Sequence, residues 1–383
     1  MILSKQRILT THVGSLPRND ELSDLLVRRE DGERVDADQL AREMDRAVQH
    51  VVDRQAQAGI DIANDGEQQR VGFQTYVPRR MSGFAGESKR RRGRDYEEFP
   101  ELVQVLSQRF PKRSRMQNAP EAQAELHYLD TGPIEQEIAR VQRSAGSCDF
   151  KACFMTAPSP GIISTTMLNA FYDSHQAYLT ALAREMRKEY LAIHNAGLLL
   201  QIDSPDLAMD RSMFYRDASD AAFVKAAEMH VAALNQALDG IPRERVRLHC
   251  CWGNWDGPHI HDVPLELILP VLYQANVGAL SIEFANPRHQ HEYAALGRHP
   301  LPRHMVLIPG VIDTTTNIVE HPEVIARRLQ EAVAAVGDRE RVIASADCGF
   351  GTFTGREWVI EPVVWLKLKT LRAGADLAST RLW

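Results

Sequence analysis

The 383-residue sequence is short of cysteine, of long apolar runs and of excess positive charge. Each shortage removes a class of function. Five cysteines, Cys148, Cys153, Cys250, Cys251 and Cys348, are too few and too scattered for a disulfide scaffold in a chain this long. In a reducing compartment such thiols serve as metal ligands, catalytic groups or inert core residues. No apolar run approaches the roughly 20 residues a membrane span needs, so no membrane partner is expected. The first residues lack the apolar centre and small-residue cleavage site of a signal peptide, which makes a cytoplasmic location the expectation. A formal net charge of −6 gives no electrostatic support for nucleic-acid binding.

What is present is a globular composition, with 44% hydrophobic and 25% charged residues. Eight short apolar runs, at 8–14, 60–65, 150–156, 198–203, 246–251, 279–284, 305–312 and 342–347, read as strands buried on both faces. Helical patterns lie between them, most clearly at 37–58, 172–196, 217–238, 265–274, 322–335 and 361–372. Strand–helix alternation of this kind predicts an α/β fold, a single-domain (β/α)8 TIM barrel spanning 1–383. Polar and special residues cluster where the runs end: His12 and Ser15, Asp65 and Glu67, Thr156, Asp203, His249 to Cys251, Glu283, Asp313, and Asp347 to Gly349. Barrel enzymes place their chemistry on that rim, whereas an open doubly wound sheet gathers it at one switch point.

The interval 68–147, after the second run, is too long for one crossover and is expected to be an insertion beside the rim. Within it, 124–128 reads as a short strand and 133–143 as a helix. It carries a basic stretch, Lys89 to Arg94 with Gly93 between, followed by an acidic one, Asp95 to Glu98. The basic stretch reads as a solvated loop or as a landing surface for an anionic substrate tail.

The residues that point to chemistry are His249, Cys251, Glu283 and Cys348. Alternate side chains of a strand share a face, so His249 and Cys251 point one way and Cys250 the other. Glu283 and Cys348 end two other strands, and a barrel rim gathers such ends. Two thiolates, an imidazole and a carboxylate suit Zn2+ better than Mg2+ or Ca2+. Such a site can hold a substrate thiol as its thiolate, with Glu283 a labile ligand. Core packing is the other reading of a His-x-Cys pair. Cys148 and Cys153 read as ordinary thiols.

At these residues the sequence resembles the catalytic domain of cobalamin-independent methionine synthase and its shorter relatives, which include epoxyalkane:coenzyme M transferase (2-hydroxypropyl-coenzyme M lyase). Six motifs match in order. Gly14, Ser15 and Pro17 resemble the opening Gly-Ser-x-Pro loop; Gly66, Glu67 and Arg70 the Gly-Glu-x-x-Arg segment; Gln201 to Asp203 the Gln-Ile-Asp strand end. His249 with Cys251, Ser281 to Glu283, and Asp347 to Gly349 resemble the zinc segments. The resemblance implies that Ser15 holds the polar end of the thiol and that Glu67 and Asp203 bind the amino group of an amino thiol such as homocysteine. Asp203 precedes Ser204 and Pro205, so shaping a turn is its structural alternative.

Three departures bear on the donor. The N-terminal half of full-length methionine synthases is missing, the insertion differs, and Thr315 stands where the family has a histidine that assists proton delivery to the leaving folate. A threonine is no general acid at neutral pH. Methyl transfer to a small thiol, methionine-synthase-like, is therefore the first expectation, with the donor open. Opening of an epoxide by coenzyme M is the second. It needs an acid for the developing alkoxide, for which His12 is the favoured candidate beside a loop-shaping role. Trp252, Asn254 and Trp255 are expected to wall the substrate pocket or pack the rim. A structural zinc in a binding protein and a metal-free decarboxylase barrel are further readings, and a homo-oligomer is left open.

Overall fold

In the computed structural model, which describes residues 1–110 and 119–383, the eight apolar runs become the parallel strands of a nearly closed TIM-like barrel. The strands in chain order are β1 (Leu9–Thr10), β2 (Ile62–Ala63), then a hairpin pair β3 (Met81–Ala85) and β4 (Glu121–Tyr128). The rest of the barrel follows as β5 (Ala152–Pro158), β6 (Leu199–Asp203), β7 (Val246–Cys250), β8 (Ala279–Ile282), β9 (Val306–Ile312) and β10 (Ile343–Ala346). The barrel order is β1-β10-β9-β8-β7-β6-β5-β2, with every pairing parallel. The seam between β1 and β2 is bridged by Asp61 N–H donating to the Thr10 carbonyl at 3.0 Å and Thr11 Oγ1 donating to the Ile62 carbonyl at 2.8 Å. The Asp61 carboxylate also accepts from Thr10 N, from both terminal nitrogens of Arg7, and from Arg372.

Period-two alternation sorts the strand residues. Leu9, Ile62, Phe154, Leu199, Ala279, Val306, Ile308 and Ile343 form an apolar cluster separate from the main core, inside the barrel. Their neighbours of opposite parity, such as Leu200, Leu248, Leu280 and Ala344, join the core between sheet and helices. Further along the strands the inward positions turn polar, through Thr11, Thr156, Gln201 and Ser281, and end in Asp203, His249 and Glu283. The barrel is thus apolar at its base and chemical at its carboxyl rim.

Helices α1 (Asp20–Glu30) and α2 (Ala37–Ala58) follow β1. The segment after β2 holds the β3–β4 hairpin, with α3 (Arg94–Glu98) and α4 (Pro100–Arg109) between its strands. Next comes α5 (Gly132–Ala145), which packs against α2 and α7 (His175–Asn195) in the outer ring, where a crossover helix belongs; the short α6 (Pro160–Thr166) precedes α7. The ring continues with α8 (Asp220–Ala237), α9 (Leu265–Leu272), α10 (Tyr293–Arg298), α11 (Pro322–Val336) and α12 (Glu361–Leu382). The helix expected at 361–372 runs ten residues further, to Leu382. Gly374 interrupts the sequence pattern there, but a Cβ at that position would collide with Ile325, so α11 and α12 pack closely at a residue that looks like a breaker. Among the described residues no helix is long and apolar enough to cross a membrane.

Candidate functional site

A cavity of about 870 Å³ opens at the carboxyl rim. At its floor β7 delivers His249 and, one step past its end, Cys251; the turn after β10 delivers Cys348. Cys348 Sγ lies 3.7 Å from His249 Nε2 and 3.9 Å from Cys251 Sγ, and all three ligand atoms fall within 4.8 Å of one another. All three residues are buried. The Cys348 thiol and the His249 imidazole hold the Cys251 thiol well below its ordinary range, although burial opposes them. A thiolate beside an imidazole and a second thiol is the donor set of a soft or borderline metal such as zinc. Cys250, of opposite parity, is buried in the outer core as expected.

Glu283 stands outside this 4.8 Å set and does not line the cavity. Its Oε1 accepts from Trp252 N–H at 3.2 Å and its Oε2 from Arg288 at 3.3 Å. Burial, then the neighbouring Cys251, pushes its carboxyl well above the usual range. The structure therefore gathers three of the four expected ligands and sets the fourth beside them.

Two more carboxylates face the same cavity. Asp203 ends β6, and its Oδ1 accepts from Gln201 Nε2 at 2.7 Å. Burial and the nearby Glu67 push it up to about 8. Glu67 sits at a φ of 54°, in the left-handed region, which turns its side chain inward. Its Oε1 accepts from Thr156 Oγ1 at 2.9 Å, while its buried Oε2 has no hydrogen-bond donor. Neither carboxylate has an ion-pair partner among the described residues. Arg70 and Arg18 act on Glu67 only at longer range, and two adjacent acids that no cation pairs directly form a receptor for an ammonium group.

Ser15 lines the cavity against the loop after Cys348: Gly351 N–H approaches its Oγ at 3.4 Å, and a Cβ on Gly349 would collide with it. Asn254 also lines the cavity; its Nδ2 donates to the Gly349 carbonyl at 2.7 Å, so it holds the loop that carries Cys348. Trp252 does not line the cavity. It is buried, donates Nε1–H to the Val263 carbonyl at 2.7 Å and stacks on His289 with ring centroids 3.8 Å apart. The left-handed turn at Gly253 brings Trp255 to the wall instead.

His12 is likewise absent from the lining. Thr11 and Val13 face the barrel interior, so His12 points outward, where its Nε2 pairs with Gln55 of α2 at 2.8 Å. Burial pushes it down to about 4, which leaves the ring neutral at pH 7.

Sequence reasoning did not single out Gln201 as a supporting residue, nor Arg247. Arg247 is buried inside the barrel, donates to Gln201 Oε1 at 2.6 Å and lies 3.9 Å from the Phe154 ring centroid. Burial pushes this guanidinium down to about 9. Through Gln201 it braces Asp203. Its parity with His249 and Cys251 on one strand was the available signal.

A model of the cobalamin-independent synthase catalytic domain matches residues 8–108 and 140–367. The 2-hydroxypropyl-CoM lyase of Xanthobacter autotrophicus is 24% identical over 369 residues, 89% of each chain. A methionine synthase of Thermococcus kodakarensis is 22% identical over 374 residues, 97% of this chain and 94% of the relative. Among solved structures, a B12-independent methionine synthase from a Shewanella species, in complex with selenomethionine, shares the fold with a TM-score of 0.71 at 20% identity, covering 98% of this chain and 99% of its own.

Proposed function

Since the chain belongs to the family of cobalamin-independent synthase catalytic domains, we propose that it transfers an alkyl group, in the first place methyl, to the sulfur of a small amino thiol such as homocysteine. The observation that carries this reading is the meeting of one imidazole and two thiols with two carboxylates that form no ion pair among the described residues, in one cavity.

His249, Cys251 and Cys348 would hold zinc, and their S, S, N donor set fits it. When bound, zinc supplies the Lewis acidity that keeps a coordinated thiol deprotonated. Glu67 and Asp203 take the ammonium of the acceptor and fix where its sulfur lies. Asn254 fixes the Cys348 loop, and Ser15 meets the acceptor's polar end. In the transfer the sulfur's electron pair forms the new S–C bond. The donor's bond to that carbon breaks, and the leaving group keeps its pair and takes up the proton the thiol has lost. Alignment of the two molecules in one cavity supplies much of the acceleration.

A second reading, opening of an epoxide by a thiol such as coenzyme M, has one observation in its favour. The developing alkoxide needs a proton, and Asp203, pushed up to about 8, carries one at neutral pH. His12, neutral and turned away from the cavity, does not supply it.

The test is metal content followed by zinc X-ray absorption with homocysteine, coenzyme M, glutathione and cysteine. We expect near one zinc per chain and, with the true acceptor, one oxygen or nitrogen neighbour replaced by sulfur. A protein that takes up no zinc, or whose spectrum ignores all four thiols, rejects the reading. Cys251→Ser and Cys348→Ser should each lose zinc and activity together.

A further inference from the structure

The cavity has a second charged end that the thiol site does not use. Lys89, Arg90, Arg91 and Arg92, the basic run between β3 and α3, line it. This arm is tied down rather than loose. Arg91 pairs with Asp217 at 2.5 Å, Arg216 donates to the Arg92 carbonyl at 2.6 Å, and Arg94 N–H donates to the Ser212 carbonyl at 3.2 Å. Arg91 is thus engaged. Lys89, Arg90 and Arg92 have no ion-pair or hydrogen-bond partner for their side chains among the described residues.

Arg90 is the residue on which the case turns. It is half-buried, and burial pushes its guanidinium below the ordinary value, with the Asp210 carboxylate only partly opposing. No ion pair joins Asp210 to Arg90, and its charge meets the guanidinium only at longer range. Glu87 is the other acid at this end, and it is exposed. A partly desolvated guanidinium without a contacting counter-ion is costly, and it is stabilised when an anion meets it. Between the two charged ends the walls include Tyr96, Trp255 and Met213. A cavity of about 870 Å³ is large enough for a drug-sized molecule, far more than a four-carbon amino thiol fills.

We infer that Arg90, with Lys89 and Arg92, forms an anion subsite, and that the molecule giving up the alkyl group carries a carboxylate, sulfonate or phosphate there. The assignment to the donor rests on the proposed alkyl transfer, in which the amino thiol occupies the acidic end; the subsite itself does not. The donor then spans the cavity with its acid group on the arm and its transferable carbon toward the sulfur.

The test is calorimetric titration of the zinc-loaded full chain, with and without homocysteine. The probes are benzene-1,4-dicarboxylate, phenyl phosphate and the neutral benzene-1,4-dicarboxamide. One or both anions should bind, more weakly as salt rises, and the diamide should not. Affinity should fall about tenfold or more in Lys89→Ala/Arg90→Ala, since a charge-assisted hydrogen bond contributes about 1.5–3 kcal/mol. Arg91→Ala, whose arginine is already paired, should change it less than about twofold. Either preference between the two anions supports the subsite and names the acid. Failure of both anions to bind the wild type, or equal binding by the double variant, overturns it. Displacement of the anion by homocysteine overturns its assignment to the donor. If the anion binds as expected while no thiol alters the zinc spectrum, alkyl transfer falls and the subsite stands.

Discussion

Asp203 makes a prediction in its own right at the scale of single residues. Its folded-state value of about 8 lies above the ordinary 3.8, because of burial and then Glu67. The stability this group contributes is therefore present below the unfolded value and is lost as pH rises through about 8. Binding an ammonium group favours the charged carboxylate, so below pH 8 an amino thiol must expel the Asp203 proton. Homocysteine should release about one proton more on binding at pH 7 than an amine-free thiol of similar length. In Asp203→Asn that difference should vanish. Calorimetry in buffers of different ionisation heat measures it, and equal proton release by the two thiols in the wild type counts against the ammonium receptor. Glu283 carries a second prediction. Since it stands outside the ligand cluster, Glu283→Gln should weaken zinc much less than Cys348→Ser does, as read by competition with a chromophoric chelator. Equal losses would put Glu283 among the ligands.

The same scale shows where sequence reasoning reached the site and where it stopped. Parity along β7 placed His249 with Cys251 and sent Cys250 outward, because a strand offers only two directions. The same rule, applied to β1, would have removed His12, whose neighbours Thr11 and Val13 face inward. The sequence offered both Trp252 and Trp255 for the wall, and the choice between them lay beyond such reasoning. The left-handed turn at Gly253 decides which indole meets the cavity, and nothing in the order of residues announces it.

At the scale of elements, the strands were legible because each is a short apolar run ending in polar residues. The β3–β4 hairpin was legible only in part. The expected strand at 124–128 begins at Glu121, and its partner Met81–Ala85 lacks alternation and bulges at Gly83. What fixes the hairpin is a buried ion network that long-range sequence cannot show. Tyr128 of β4 donates to Glu189 of α7 at 2.6 Å, and Arg80 joins Glu189 to Glu137 of α5. Glu137 in turn holds Arg70 at 2.9 Å, and Arg70 donates to Thr156, the partner of Glu67. Glu137→Ala would leave Arg70 and Arg80 buried with one partner fewer. It should cost about 3–5 kcal/mol, seen as a lower urea midpoint with the slope unchanged. A loss under about 1 kcal/mol would mean the network is decorative.

At the scale of the whole molecule, the His249, Cys251 and Cys348 cluster proposed to hold zinc sits on the rim of a barrel whose apolar cores are built from other residues. Removing zinc with a chelator should lower the thermal midpoint by mass action while far-UV circular dichroism at 25 °C stays unchanged. Loss of helical signal on chelation would make the metal a folding element instead. The seam between β1 and β2 has a different consequence. Trp383 donates Nε1–H to the Lys5 carbonyl at 3.0 Å, Ser379 Oγ accepts from Ile8 N–H, and Asp61 clasps both Arg7 and Arg372. Residues 5 and 383 are thus neighbours in space, and a Gly-Ser tether from Trp383 to Met1 could make the backbone continuous while keeping Met1 to Ser4 on the barrel base. A circularly permuted gene that makes this splice and begins anew beyond β4, near Asp130, should yield the same ring with its eight staves cut at another place.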